Sequence, residues 1–200
     1  MTWPFADLRP LGYDVILCDP PTRFETFSAA GEDKPPQAQY ATMTWDDLAD
    51  LPVAQLGRGD TILLLWACWP TLPQSLDLLQ RWGFRFVTGG SWHKRTKHGK
   101  TAFGTGYVLR SASEPYLIGT LGKPKTANNV RGVMVSEGLL EMDAQTRGHS
   151  RKPDLQYDYC ERLAPRAVRF VELFARQRWT GSPGWDAWGA EVGKFEVASL

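Results

Sequence analysis

The sequence predicts an α/β domain with a mainly parallel central sheet, and three observations carry that expectation. Short apolar runs of strand length recur at 13–18, 61–66 and 168–174. Between them, 73–82 and 153–163 carry apolar residues at helical spacing. Strands alternating with helices are the pattern of a parallel sheet with helices packed on its faces. The chain shows no internal repeat and no dividing linker, so one domain over residues 1–200 is expected.

The first run, YDVILC at 13–18, ends abruptly at Asp19-Pro20-Pro21, where two consecutive prolines cannot continue a ladder. Residues 22–44 are rich in Gly, Pro, Ser and Gln without periodicity, and an ordered loop of that length is usually functional. A short helix begins at Trp45 with Thr44 as its N-cap. The second strand covers 61–66, and the helix over 73–82 closes at Gly83. A third strand is read at 84–88 and 91–93, a fourth at 116–120 and a fifth at 133–136. The helix over 153–163 stops before Pro165, the last core strand is 168–174, and 185–192 reads as a Trp- and Gly-rich tail.

Composition narrows the function classes. An apolar share of 42% excludes a disordered chain, and a formal net charge of +1 excludes a uniform polycation. Affinity for nucleic acid must then come from a local basic patch. Cys18, Cys68 and Cys160 lack metal or redox spacing and read as buried thiols in a reducing compartment. The three histidines also lack metal spacing, so no metal is expected, and His149 reads as an ordinary hydrogen-bonded loop residue. The N-terminus lacks a signal-peptide pattern and no apolar run is long enough to cross a bilayer, so a cytoplasmic location without membrane contact is expected.

Ligands of open α/β sheets gather at the carboxyl ends of the strands, which is where Asp19, Pro20 and Pro21 fall. The exocyclic amine of adenine is a poor nucleophile, because its lone pair is delocalised into the ring. A carboxylate and a rigid carbonyl that accept its hydrogens let the nitrogen turn tetrahedral. Taken alone, an Asp-Pro-Pro tripeptide is more often a plain strand-terminating turn.

Around it stand, in order, YDVILCDPPT (13–22), FETFS (24–28), QYATMT (39–44), LLLW (63–66), WHK (92–94), GTGY (104–107), SE (113–114), HSRKPD (149–154), ELFAR (172–176) and GWDAWG (184–189). The series resembles the adenine-N6 methyltransferase family named after the seventy-kilodalton subunit of the messenger-RNA adenosine methyltransferase, in particular its compact bacterial and phage members. That resemblance implies a Rossmann-like class I methyltransferase fold with flanking helices, and S-adenosyl-L-methionine as methyl donor. It implies nucleic acid as the partner, DNA rather than RNA, and makes a homodimer or a partner subunit plausible. By position it places Asp19, Pro20, Pro21 and Thr22 in the catalytic motif and Tyr40 on the target-base side, where Phe24 or Phe27 of the same loop would supply a ring in place of Thr22. Lys152 would meet the cofactor's carboxylate. Phe174, Arg176, Arg178, Ala190 and Glu191 would complete the cofactor site, with Glu191 accepting from ribose hydroxyls.

Two positions depart from the family pattern. Thr22 stands where an aromatic ring normally stacks on the base, an interaction worth roughly 1–3 kcal/mol. Ala190 replaces an asparagine, at a cost on the order of 1 kcal/mol for one lost hydrogen bond. Both favour a second reading, a catalytically silent homologue that binds nucleic acid as a partner subunit. A third, cytosine-N4 methylation, stays open because the motif does not name the base. Residues 79–112 contain no acidic residue but carry Arg81, Arg85, Lys94, Arg95, Lys97, Lys100 and Arg110. A mobile basic loop at 92–100 that holds phosphates is the expectation, with Lys94, Arg95 and Lys97 in contact. Trp66 and Trp188 are assigned to the core, and Trp179 and Trp185 flank the expected cofactor block.

Overall fold

The computed structural model describes residues 3–22, 42–96, 98–104, 108–135 and 151–194. Strands β1 (Tyr13–Cys18), β2 (Gly57–Trp66), β3 (Arg85–His93), β4 (Ser113–Leu121), β5 (Val133–Val135), β6 (Phe170–Leu173) and β7 (Trp185–Trp188) form one sheet in the order β5-β3-β4-β2-β1-β6-β7. Helices α1 (Trp45–Ala49), α2 (Leu72–Arg81) and α3 (Leu155–Leu163) accompany it. β1 lies between parallel neighbours β2 and β6, and the β3–β5 and β6–β7 pairs are also parallel. Only β4 runs against the rest, pairing antiparallel with β2 and β3. The sheet is mainly parallel, as expected from the sequence.

Alternation along the central strands divides the core. Ile16, Cys18, Leu63, Leu65, Val171 and Leu173 face one side, against Leu48 of α1 and Leu78 and Leu79 of α2. Val15, Leu17, Ile62, Leu64, Trp66 and Phe170 face the other, against Tyr157, Tyr159 and Cys160 of α3. β1 and β2 are apolar on both faces because both faces are covered. Thr44 caps α1 by accepting from the Asp47 amide at 3.1 Å, and Gly83 ends the turn after α2 with φ +85°.

The structure corrects four boundaries. Residues 84–88 and 91–93 belong to one strand that passes through Gly89 and Gly90. A Cβ on Gly90 would lie 2.2 Å from the Tyr116 hydroxyl and 2.3 Å from the Gly132 carbonyl, so glycine here permits close approach of β4 and β5. The Gly90→Ala variant should lose about 1–3 kcal/mol, measured by urea unfolding, because the Tyr116 hydroxyl is bonded to Tyr159 and the Gly132 carbonyl accepts from the Ser91 amide, so neither retreats without losing a hydrogen bond. The final core strand is shorter than 168–174. The Val168 and Arg169 amides donate to the Asp14 carboxylate at 2.9 and 3.1 Å, and Phe174 turns out of the strand with φ +59°. α3 begins at Leu155, two residues after Pro153. The supposed tail at 185–188 is the edge strand β7, four residues with only partial burial, too short for its alternation to announce it.

Among the described residues no helix is long and apolar enough to cross a membrane, and no cluster of metal-ligating side chains occurs.

Candidate active site

The reversal of β4 decides what meets what. β1, β2, β3 and β6 end at one rim of the sheet, and β4 starts there, with Trp92 beside Glu114 and Trp66 beside Tyr116. Asp19, Cys68, Lys94, Glu114 and Phe174 therefore crowd one edge, although long stretches of sequence separate them. This is the carboxyl rim where parallel sheets bind ligands.

Lys152, from the segment before α3, is the hub. Its ammonium donates to both Asp19 carboxylate oxygens at 2.8 Å and lies 3.5 Å from Glu114. Lys94 closes the series with an ion pair to the other Glu114 oxygen. Each lysine stands over an indole, Lys152 at 5.4 Å from the Trp66 ring centre and Lys94 at 5.1 Å from that of Trp92. The Trp66 ring is fixed in turn by its N–H, which donates to Gln156 at 2.9 Å. The result is an alternating chain of two ammonium groups and two carboxylates.

Burial sets the electrostatics. Desolvation raises the Asp19 pKa, and the Lys152 charge and hydrogen bonds only partly offset it. Burial works against the Glu114 charge too, but Lys152 and Lys94 together outweigh it and hold its pKa below the usual carboxylate range. Desolvation opposes the Lys152 charge, yet Asp19 and Glu114 overcome it and raise its pKa, so the ammonium persists at every ordinary pH. Glu172 of β6 is pushed up to about 7 by burial, despite accepting a hydrogen bond from Tyr157.

The structure brings most of the sequence-predicted residues together. Asp19, Lys152, Phe174 and Arg176 line one cavity of about 30 Å³, with Arg151, Glu172 and Gln177. Arg176 contacts Glu191 at 2.9 Å, and Lys194 also reaches Glu191. Arg178 lines a separate cavity of about 520 Å³, formed with Phe5–Arg9 of the N-terminal segment, Trp188 and Gly189. Ala190 is exposed beside it. The Pro20 carbonyl accepts from the Thr22 amide at 2.8 Å, and Pro21 accepts from the Met43 amide at 2.9 Å. Thr22 pairs with Met43 in a single bridge, which ties the two ends of segment 23–41 together. Phe24, Phe27, Tyr40, Lys97 and His149 lie outside the described residues.

Three expectations change. Lys152, assigned to a cofactor carboxylate, is bonded to Asp19 and Glu114. Lys94 turns inward to Glu114 and Arg95 is half-buried, so that among the described residues of 94–110 Lys100 and Arg110 are the exposed cations, and the described part of the basic loop pairs across an antiparallel bridge. Thr96 N–H donates to Lys100 at 2.8 Å, and Arg95 bridges Thr101. Trp179 and Trp185 belong to the packing of α3: Trp179 stacks on Tyr157 at 4.3 Å, and Trp185 meets the same ring edge-on. Trp66 is core, while Trp188 is half-buried against Phe5 and Phe174. Glu114 and Glu172 were missed as site residues. Both stand in blocks that carry the family resemblance, but locally Glu114 only ends a run that lacks any other acid and Glu172 is an acid inside an otherwise apolar strand, and neither pattern names a role.

The family model described as MT-A70 matches residues 13–191, nearly the whole chain. The chain belongs to the MT-A70 family. A putative N(6)-adenosine-methyltransferase MT-A70-like protein of Medicago truncatula is 30% identical over 199 residues, covering 95% of this chain and 29% of that protein. The type II methyltransferase M.MunI of a Mycoplasma species is 29% identical, covering 96% of this chain and 84% of its own length. Human N(6)-adenine-specific methyltransferase METTL4 is 24% identical, covering 92% of this chain and 38% of that protein. This chain thus spans under a third of the plant relative and well under half of the human one. The MT-A70 family is one of adenine-N6 methyltransferases with the class I fold.

Proposed function

We propose that the chain transfers a methyl group from S-adenosyl-L-methionine to the N6 amine of adenine in DNA, and that Asp19 is the residue on which the reaction turns. The observation that carries this reading is the placement of a rim carboxylate, stiffened by Pro20 and Pro21, in a cavity that also presents Lys152 and Arg176.

Part of a donor set for the cofactor is present: Glu191 offers an acceptor for ribose hydroxyls, and the separate cavity of about 520 Å³ lined by Arg178 has room for a nucleoside. When bound, S-adenosyl-L-methionine supplies a methyl group on a sulfonium, whose sulfur leaves as a neutral thioether. The chain's own residues prepare the amine. Each Asp19 oxygen keeps a second lone pair beside its Lys152 bond, and the Pro20 carbonyl keeps one beside its Thr22 bond, so both remain acceptors for amine hydrogens. As the N–C bond forms and N6 becomes cationic, its proton passes to an acceptor such as Asp19. The raised pKa of that carboxylate makes it a better base than an ordinary one.

DNA is favoured over RNA by size. The chain matches most of the type II methyltransferase but only 55% of the fungal N6-methyladenosine RNA methyltransferase MTA1. Outward phosphates would be met by the exposed Lys100 and Arg110. In a duplex the base must leave the stack to reach the rim. A cytoplasmic location and a homodimer or partner subunit complete the proposal. Incubating the protein with DNA, or with RNA of the same sequence, and labelled donor, followed by nucleoside mass spectrometry, tests it. Label in N6-methyladenine from DNA is the expected result; label only in RNA or in cytosine would replace the substrate, and none in any base would favour the silent-subunit reading.

A further inference from the structure

The charged groups of the Asp19 cavity are almost all answered. Asp19 has Lys152, Glu114 has Lys152 and Lys94, Arg151 has Asp154, and Arg176 has Glu191. Glu172 differs. It lines the same cavity, is 8% exposed, and among the described residues bonds only the Tyr157 hydroxyl, at 2.7 Å, and forms no ion pair. A buried carboxylate without a cation is costly, and a neutral residue would pack β6 against α3 without that cost.

The supports around Glu172 make the choice of a carboxylate more specific. Tyr157 donates to it while accepting from Gln177 at 3.2 Å, and Gln177 also donates to Asp154 at 3.1 Å, where Arg151 is anchored. The phenol is thereby oriented to give its only proton to Glu172, which favours the ionised form. Asp19 faces Glu172 from the tip of β1, Lys152 and Asp154 from the segment before α3, and Tyr157 and Cys160 from α3 itself, while Arg151 and Arg176 line the same cavity and Cys18 lies on the opposite face of the sheet. Of the cations, Lys152 is paired with Asp19 and Glu114, Arg151 with Asp154 and Arg176 with Glu191.

We infer that Glu172 is the counter-charge for the positively charged end of the methyl donor, so that the cavity selects a cationic donor over an uncharged nucleoside thioether. This rests on the proposed use of S-adenosyl-L-methionine. It goes further by naming a residue that the catalytic motif does not contain, and by tying donor affinity to the ionisation of that residue. The Glu172 pKa of about 7 in the free protein gives the sign: below it the carboxyl is protonated and neutral, above it the counter-charge is present. Donor affinity should therefore rise as pH increases through 7.

The test is equilibrium titration of the wild-type chain and of Glu172→Gln with S-adenosyl-L-methionine, and with 5′-methylthioadenosine as the uncharged probe, between pH 6 and 8.5. Glutamine keeps the shape and still accepts from Tyr157. The substitution should weaken donor binding about tenfold at pH 8, the equivalent of one pKa unit of lost charge interaction. It should leave 5′-methylthioadenosine within about twofold and flatten the pH dependence. Equal losses for both ligands, or an unchanged donor affinity and pH profile, would overturn the inference while the donor assignment stands. Failure of the wild type to bind either ligand would overturn both. If Glu172→Gln does not fold, Tyr157→Phe serves instead: loss of the phenol proton should move the midpoint of the donor's pH profile upward, and an unmoved midpoint would count against Glu172.

Discussion

Replacing Asp19 with alanine abolishes methyl transfer, by a factor of roughly 10³ or more, and leaves the protein folded. The size follows from what the carboxylate does: it holds the amine and receives its proton, and removing even one preorganised partner of a reacting group costs about 10²–10³ in rate. The fold survives because Asp19 stands at the rim and keeps 30% of its side-chain exposure, outside both core clusters. Lys152 does not become an unpaired buried cation in this variant, since Glu114 lies 3.5 Å away. Labelled-methyl incorporation and a thermal melt check the two halves of the prediction. Wild-type activity in Asp19→Ala would remove the chemistry proposed here.

Replacing Lys152 with methionine has the largest expected effect on stability. Methionine keeps the length and the apolar contact with Trp66 but leaves two carboxylates facing each other, with Lys94 still on Glu114 and Arg176 acting on Asp19 from across the cavity. Breaking a buried ion pair costs about 3–5 kcal/mol, and the partial exposure of Asp19 reduces that to about 2–4 kcal/mol. The sign with pH is definite. Glu114 has a depressed pKa in the wild type, so its ion pairs stabilise the fold at neutral pH and lose that effect as pH falls. In the variant both carboxylates take up protons more readily. The stability gap between the two proteins should therefore narrow on acidification, as chemical denaturation at a series of pH values will show. A gap that widened toward acid would mean that Lys152 is not the hub of the rim charges.

Much of the site was legible in the chain before any coordinates. Asp19 followed by two prolines after an apolar run marks a strand end with a rigid carboxylate, and the ordered blocks from 13 to 189 point to one chemistry. Glu114 and Glu172 stand in the blocks that carry the resemblance, but their roles were not legible, because a carboxylate in a strand declares its role only through what lies across from it. Lys94 illustrates the converse. In sequence it belongs to a run of basic residues without an acid, and a phosphate contact was the natural reading. Its partner arrives from the next strand, twenty residues away, in antiparallel register.

The sequence by itself determined the layer architecture, the central strands and the rim acid. These follow from local patterns: apolar runs of strand length, helical spacing and proline stops, each set by neighbours along the chain. Tertiary structure alone decided that β4 runs backward, that 185–188 is an edge strand, and that Lys152 bridges Asp19 and Glu114. Strand direction, edge pairing and ion-pair choice depend on contacts between residues far apart in sequence, and their energies arise only once the chain has closed on itself.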